Sequence, residues 1–420
     1  MNKDRFGRTA NVSVWDQFKQ RGFFQQVTEG DEPIDSLSGP LTGYIGFDPT
    51  ADSCHAGHLI PLMSLLHFQR AGHRPIALLG GGTAMIGDPT GKNDMRKMLE
   101  TDTLDTNLAG MKSQIERLFA ENGMAENPPL VVNNADWLRS MNYIDFMREV
   151  GVHFSVNRLL TFETFKTRME TGLSFLEFNY PLLQGYDFLE LYRRYDCRIQ
   201  MGGDDQWANI LSGVDLVRRA ERKQVYGWTY PLLTTASGAK MGKTEKGALW
   251  LDPTKTSPYE FYQYWVNVDD RDVSRVLGTL TLLPMEEVQA LSALEGAEIR
   301  QAKQKLAYEV TRIVHGEEEA KRAEAGARAL FGGGGDMSQV PSTDLPASRF
   351  AEGVFLPELM VEVGLAKSRG EARRLIQQGG VSVNDAKVDD AERSLTTADL
   401  DDSKLMLKVG KKRFHQVVAV

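Results

Sequence analysis

Two short patterns, far apart in the chain, hold the side chains best suited to chemistry on phosphates. The first is His55-Ala-Gly-His58, which closes the run DPTADSCHAGH. The second is Lys240-Met-Gly-Lys243-Thr244, inside SGAKMGKTEKG. A strand, a proline turn and a helix N-terminus around His55 and His58 would bring both imidazoles and several free N–H groups to one point, an arrangement suited to anions. Gly57 would let a flat base lie on the backbone. The lysine segment joins two cations, a flexible glycine and a hydroxyl, so it could close over a polyphosphate and stabilise the charge that develops when pyrophosphate leaves. On spacing alone, the histidines also read as helix caps and the lysines as a solvated loop. A zinc reading is poorer, because HExxH is absent and no third ligand is evident.

A third set lies in FLEFNYPLLQGYDF, residues 175–188. Tyr180, Gln184 and Asp187 fall at i, i+4 and i+7 and share one helical face. That face is otherwise apolar and aromatic, so the polar groups need partners, either a ligand or one another.

The elements needed to position these residues can be read from periodicity. Ser13 caps a helix to about Arg21, with Val14, Trp15 and Phe18 inward. Leu41–Phe47 is the first strand of an α/β layer, followed by a helix from His58 to Arg70 that ends near Gly72. Arg74–Leu79 is a second, parallel strand. The glycine-rich run GGGTAMIGDPTGKN (80–93) could cradle phosphate, but Ile86, Asn93 and Met85 break both the P-loop and the dinucleotide fingerprint. A helix spans Leu104–Glu121, a strand Leu130–Asn133, further helix Tyr143–Met169, and the polar-faced helix starts at Phe175. A strand at Cys197–Met201 leads through GGDDQWAN into a helix ending near Arg219, and a last strand is expected at Tyr230–Thr234. From Ser257 the pattern is helical. The stretch from Phe331 to Ser348, rich in Gly, Pro and Ser, reads as a linker. A small α+β unit closes the chain, with helices in FLPELMVEVG and KSRGEARRLIQQGG and strands in VSVN, KLMLKVG and FHQVVAV. The expected division is 1–252, 253–330, 331–353 and 354–420.

Composition sets outer limits. The 420 residues are 41% hydrophobic and 25% charged, with net charge −8 and only two cysteines. That describes a soluble globular protein without a disulfide framework, expected in the cytoplasm, with no membrane segment and no secretory signal. A chain of this charge is not a general polyanion binder, so any nucleic-acid surface must be local.

The two phosphate patterns, in this order and about 180 residues apart, resemble the HIGH and KMSKS signatures of class I aminoacyl-tRNA synthetases. YIGFDPTAD (44–52), GDPTGK, NYPLLQGYDF and GGDDQWAN resemble the bacterial tyrosyl-tRNA synthetase family, from about residue 10 to the C-terminus. The resemblance implies a Rossmann-like catalytic domain with a connective insertion, an α-helical domain and a small C-terminal α+β RNA-binding domain. It implies activation of L-tyrosine with ATP to tyrosyl-adenylate, then transfer to the 3′ end of tRNA(Tyr), by a homodimer. Mg²⁺ would travel with the ATP phosphates, with no dedicated protein metal site. Tyr180 and Gln184 would then meet the tyrosine ammonium, and Tyr44 and Asp187 its phenol. Asp88 and Asn134 would line the tyrosine side, and Gln200 would face the amino acid or the α-phosphate. Asp48, Gly203, Asp205 and Gln206 would border the ribose, adenylate or carboxylate. His55, Gly57, His58, Lys240, Lys243 and Thr244 would serve ATP and its phosphates. Two departures stand out: Ala56 replaces the signature isoleucine, and Gly242 removes a hydroxyl, which bears on the stiffness of the lysine loop.

SRGEARRLIQQGGVSVN resembles the small RNA-binding fold that ends bacterial tyrosyl enzymes, with Lys367, Arg369, Arg373 and Arg374 on one helix to meet phosphates. Lys411, Lys412 and Arg413 fall on a late turn. Acidic residues leave this unit nearly neutral, so a solvated charged face is the competing reading. Two other functions stay open on sequence: a tryptophanyl enzyme of the same class, against which Asp187 opposite Tyr44 argues, and a non-catalytic RNA-binding protein that kept the fold.

Overall fold

Short apolar runs buried on both faces become the strands of a mostly parallel sheet. In the computed structural model, which describes residues 13–88, 100–244, 247–332, 342–410 and 413–420, the chain divides into two compact units. One comprises Met1–Ser257 with Trp265–Gly316, the other Pro258–Tyr264 with Glu317–Val420.

The first unit is built on six strands: β1 (Gln26–Val27), β2 (Thr42–Phe47), β3 (Arg74–Leu79), β4 (Leu130–Asn133), β5 (Cys197–Gly203) and β6 (Tyr226–Tyr230). Their order is β1-β6-β5-β2-β3-β4. Every pair is parallel except β1 with β6. The chain runs outward from β2 to β4, then returns to β5 on the other side of β2. Strand order therefore reverses between β2 and β5, and in such sheets ligands bind beyond the carboxyl ends of the strands at that reversal. The register between β2 and β5 shifts by one residue after Thr42↔Cys197, giving Gly43↔Ile199 and Tyr44↔Gln200. Without this bulge Tyr44 would lie opposite Ile199.

Local chemistry sets the helix ends. Ser13 Oγ accepts the Asp16 N–H at 3.1 Å and caps Val14–Arg21. Gly72, at φ +92°, follows the helix Leu59–Arg70. Ser174 and Glu177 form a reciprocal capping box for Phe175–Tyr195, which runs a full turn and more past the expected Phe188. Aromatic side chains fill one side of the sheet, where Trp15 lies 5.1 Å from Trp228, centroid to centroid. On the other side Tyr44, Leu78, Phe188 and Leu191 share a core. Cys197 is buried in that core and Cys54 is buried elsewhere, and burial pushes the Cys54 thiol up to about 12 and that of Cys197 upward as well.

Several expectations are corrected. The last parallel strand is Tyr226–Tyr230, not Tyr230–Thr234, because Pro231 cannot donate a ladder hydrogen bond. Residues 143–169 are not one helix. They break into Tyr143–Glu149, a 3₁₀ turn at Gly151–His153, Val156–Leu159 and Glu163–Thr171. The short antiparallel β1 had no alternating pattern to reveal it. The helices Val273–Leu280, Met285–Ser292 and Ile299–His315 belong to the first unit, and Glu317–Gly332 to the second.

In the second unit five strands pair in the order Ala386–Val388, Val381–Val383, Lys404–Val409, Arg413–Ala419 and Ser342–Leu345. The last of these lies inside the stretch expected as linker and pairs in parallel with Arg413–Ala419. Residues 333–341, the core of that expected linker, are outside the described residues, as are Lys411 and Lys412. The helices Leu356–Glu362 and Arg369–Gln377 place Leu359, Met360, Ala372 and Ile376 in a core with Val381, Leu405, Leu407 and Val417.

Candidate active site

A cleft of about 340 Å³ opens at the reversal between β2 and β5. Its wall brings together Tyr44, Asp48, His55, Gly57, His58, Asp88, Asn134, Tyr180, Gln184, Asp187, Gln200, Gly203, Asp205 and Gln206. These come from the strands β2 and β5, the segments that follow β2, β3, β4 and β5, and the helix Phe175–Tyr195.

The inner end is aromatic and closes on a carboxylate. Asp187 is 2% exposed. Its Oδ1 accepts the Trp137 indole N–H at 2.7 Å and its Oδ2 accepts Asn134 Nδ2 at 2.9 Å. Burial raises its pKa to about 7, although both donors pull the other way. Asn134 is itself fixed, since Oδ1 takes the Gly82 N–H at 2.7 Å and Nδ2 also reaches Thr83 Oγ1 at 3.0 Å. The Tyr44 ring packs 5.3 Å from Phe188. Its hydroxyl and Gln200 Oε1 are both buried without a hydrogen-bond partner in the protein, and their strands set them side by side. Two orphaned polar atoms beside a buried carboxyl are costly for a fold and useful for recognising a polar ring substituent. Burial, with the Asp187 charge adding, pushes the Tyr44 phenol well up, so it stays neutral.

Midway along the cleft, the Tyr180 hydroxyl donates to Asp48 Oδ2 at 3.3 Å, and Thr83 Oγ1 donates to Asp48 Oδ1 at 3.1 Å. Gln206 Nε2 donates to Asp88 Oδ2 at 2.8 Å. Burial, reinforced by Asp88, raises the Asp205 pKa. Carboxylates thus line the middle of the cleft, where a cationic group would be welcome.

At the mouth the histidines do more than expected. His58 Nδ1 accepts the His55 backbone N–H at 3.1 Å, and His55 Nδ1 accepts the Gly57 N–H at 3.0 Å. The expected free N–H groups at His55 and Gly57 are therefore already taken. With each Nδ1 an acceptor, the neutral rings carry their protons on Nε2. Burial lowers both pKa values, that of His58 to about 3, which keeps the rings neutral. The rings lie 4.1 Å apart and offer two fixed N–H donors. The cap reading and the phosphate reading describe opposite edges of the same imidazoles.

Lys240 and Lys243 are exposed and are not in the cleft wall. Lys243–Thr244 pairs with Gly247–Ala248 as a two-stranded ribbon. The loop is nonetheless moored to the histidine turn. Gly242, at φ +79°, lies so close to Ala56 that an added Cβ would come within 2.5 Å of the Ala56 Cβ. The two departures from the family signatures thus meet, a small residue against a glycine. The part of GDPTGK after Asp88 lies outside the described residues.

Sequence reasoning missed Trp137 and Thr83, which orient Asp187, Asn134 and Asp48. No local pattern marks a residue whose partner is 50 positions away. In the second unit Arg369 pairs with Glu358 and Arg373 with Glu392, each at 2.8 Å, while Arg374 is exposed in the helix's last turn.

A parallel sheet whose reversal carries this histidine turn, with a moored lysine loop beside it, defines a class I aminoacyl-tRNA synthetase. The family model described as tRNA synthetases class I (W and Y) matches residues 36–332, and a tyrosine--tRNA ligase SYY-like C-terminal domain matches residues 336–417. The tyrosine--tRNA ligase of Clostridium tetani is 53% identical over 407 residues, covering 97% of this chain and 99% of that protein. That of Lachnoclostridium phytofermentans is 54% identical over 405 residues, covering 96% and 98%. The structure of a C-terminally truncated Aspergillus nidulans mitochondrial tyrosyl-tRNA synthetase superposes with a TM-score of 0.68 at 31% identity, over 76% of this chain and 95% of that one. The chain belongs to the tyrosine--tRNA ligase family.

Proposed function

We propose that the cleft carries out both steps of tyrosine–tRNA ligation, with its two ends serving the two small substrates. The carrying observation is one continuous wall with Asp187, Tyr44 and Gln200 at one end and the paired Nε2–H donors of His55 and His58 at the other. L-tyrosine enters ring first. Its phenol meets Asp187 and Tyr44, and its ammonium meets Tyr180 and Gln184, with Asp48 and Asp88 supplying negative charge nearby. ATP lies along Gly57, Gly203, Asp205 and Gln206, its phosphates against the two histidines.

The tyrosine carboxylate attacks the α-phosphorus, the bond to the bridging oxygen breaks, and pyrophosphate leaves with that electron pair. The 3′ ribose hydroxyl of tRNA(Tyr) then attacks the acyl carbon and releases AMP. No side chain acts as nucleophile, so the protein's work is alignment and charge stabilisation. Lys240, Lys243 and Thr244 close over the phosphates in the first step. Mg²⁺ comes with ATP as part of that substrate. Among the described residues no group of three or more His, Cys, Asp or Glu is placed to hold a metal ion.

ATP–pyrophosphate exchange measured with each amino acid tests the assignment. Exchange with tyrosine alone is expected, and exchange with tryptophan instead would refute it. Lys243→Ala should lose exchange by about a hundredfold or more while tyrosine still binds by calorimetry.

The homodimer and the cytoplasmic setting are part of this proposal. The insertion between β4 and β5 exposes Tyr143, Ile144, Val152 and Val156, each by 56% or more, and a second copy would cover such apolar surface. Sedimentation checks it: Ile144→Asp should shift the protein toward monomer. Among the described residues no helix is long and apolar enough to cross a membrane.

A further inference from the structure

We propose that Trp250 is a positioning residue for ATP activation: it holds the His55 imidazole in place and ties it to the lysine loop. The inference rests on the phosphate role given to His55 above.

The Gly57 N–H holds the His55 ring at Nδ1, and packing against neighbouring rings supports its plane. His58 covers one face at 4.1 Å. The Trp250 indole meets the ring from another side, with centroids 6.0 Å apart and planes at 68°, an edge-to-face arrangement. Trp250 is not in the cleft wall, and the role assigned to it runs through its contact with His55.

The indole is itself held. Lys255 Nζ stands 5.3 Å above its ring and pairs with Asp52 Oδ1 at 2.5 Å. The Trp250 backbone N–H donates to Thr256 Oγ1 at 3.1 Å. Asp52 lies three residues before His55, so the clamp starts and ends on the histidine turn.

The backbone makes the link to the loop. His55 and Trp250 form an antiparallel bridge, flanked by Ala56 N–H to Leu249 O at 2.8 Å and Leu251 N–H to Cys54 O at 2.9 Å. Leu249 N–H in turn donates to Gly242 O at 2.7 Å, inside the lysine pattern. Residues 249–251 are thus bonded to both phosphate patterns at once. These bonds form a path from the lysine pattern to the His55 turn through Leu249 and Trp250 that does not pass through the cleft.

The test is exchange kinetics on the full chain, reading the ATP and tyrosine KM separately. Trp250→Ala should raise the ATP KM about tenfold and leave the tyrosine KM unchanged, and Trp250→Phe should recover most of the loss. If Trp250→Ala does not fold, Trp250→Leu, which keeps bulk without an aromatic edge, takes its place with the same expected result. In a His55→Ala background the Trp250 substitution should add nothing. If His55→Ala leaves the ATP KM unchanged, the phosphate role of His55 fails and this inference with it. If His55→Ala raises the ATP KM but the Trp250 variant does not, or if the two effects add, or if the tyrosine KM rises equally, the phosphate role stands and the positioning role of Trp250 is refuted.

Discussion

Asp187, proposed above to meet the tyrosine phenol, is a buried carboxyl held in an unfavourable setting. Its pKa is raised by burial to about 7, whereas an unfolded chain would titrate near 3.8. Between those values the folded protein holds a proton that the unfolded chain has released. Stability contributed by this group is therefore fully present at low pH and is lost as pH rises toward about 7. Melting temperatures of the parent and of Asp187→Asn, followed from pH 5 to 8, should show the parent losing ground to the variant across that window and holding level above it. A difference independent of pH would contradict the raised pKa. In the proposed binding mode the same carboxyl accepts from the substrate phenol, so tyrosine affinity should weaken as pH falls below about 7.

At the scale of elements, the helix Phe175–Tyr195 depends on a pair at its start. Arg168 Nε and Nη2 both reach Glu177 Oε1, at 3.0 and 2.9 Å, and Glu177 Oε2 accepts Ser174 N–H and Oγ–H. Both charged side chains are buried. Removing one partner leaves a buried charge, so Arg168→Met should cost about 3–5 kcal/mol, and adding Glu177→Gln should restore much of it, as read by urea denaturation. Because Tyr180, Gln184 and Asp187 ride on this helix, the single variant should also raise the tyrosine KM. Single effects that simply sum in the double variant would argue against the pairing.

What could be read in advance follows the range of the interaction. Tyr180, Gln184 and Asp187 were legible because helical spacing is local, and so were the cap at Ser13 and the stop at Gly72. Tyr226–Tyr230 was displaced because a strand buried on both faces shows no alternation, and only Pro231 marks its end. Trp137, Trp250 and the register shift that sets Gln200 beside Tyr44 were not legible. Each depends on a partner that only the folded sheet supplies.

Over the whole molecule, net charge −8 sits with a family that handles polyanions. The C-terminal unit reconciles them locally. Arg369 and Arg373 are held by Glu358 and Glu392 in exposed pairs worth little, which RNA phosphates can displace. Arg374, exposed at the end of the same helix, is the expected phosphate contact. Arg374→Glu should weaken tRNA charging and lower its salt slope by about one, while ATP–pyrophosphate exchange stays at the parent rate. Equal loss in both assays would mean that this helix serves the catalytic unit rather than RNA.

The two buried cysteines carry a practical consequence. Only the thiolate attacks, and both thiols are shut away from water with raised pKa values. Thiol reagents should therefore leave the native enzyme untouched. A cysteine introduced at exposed Ser237, beside the lysine loop, would then be the sole reactive sulfur in the folded chain. A dye attached there would test in real time the closure over ATP proposed for the loop, without first stripping the protein of its own sulfhydryls.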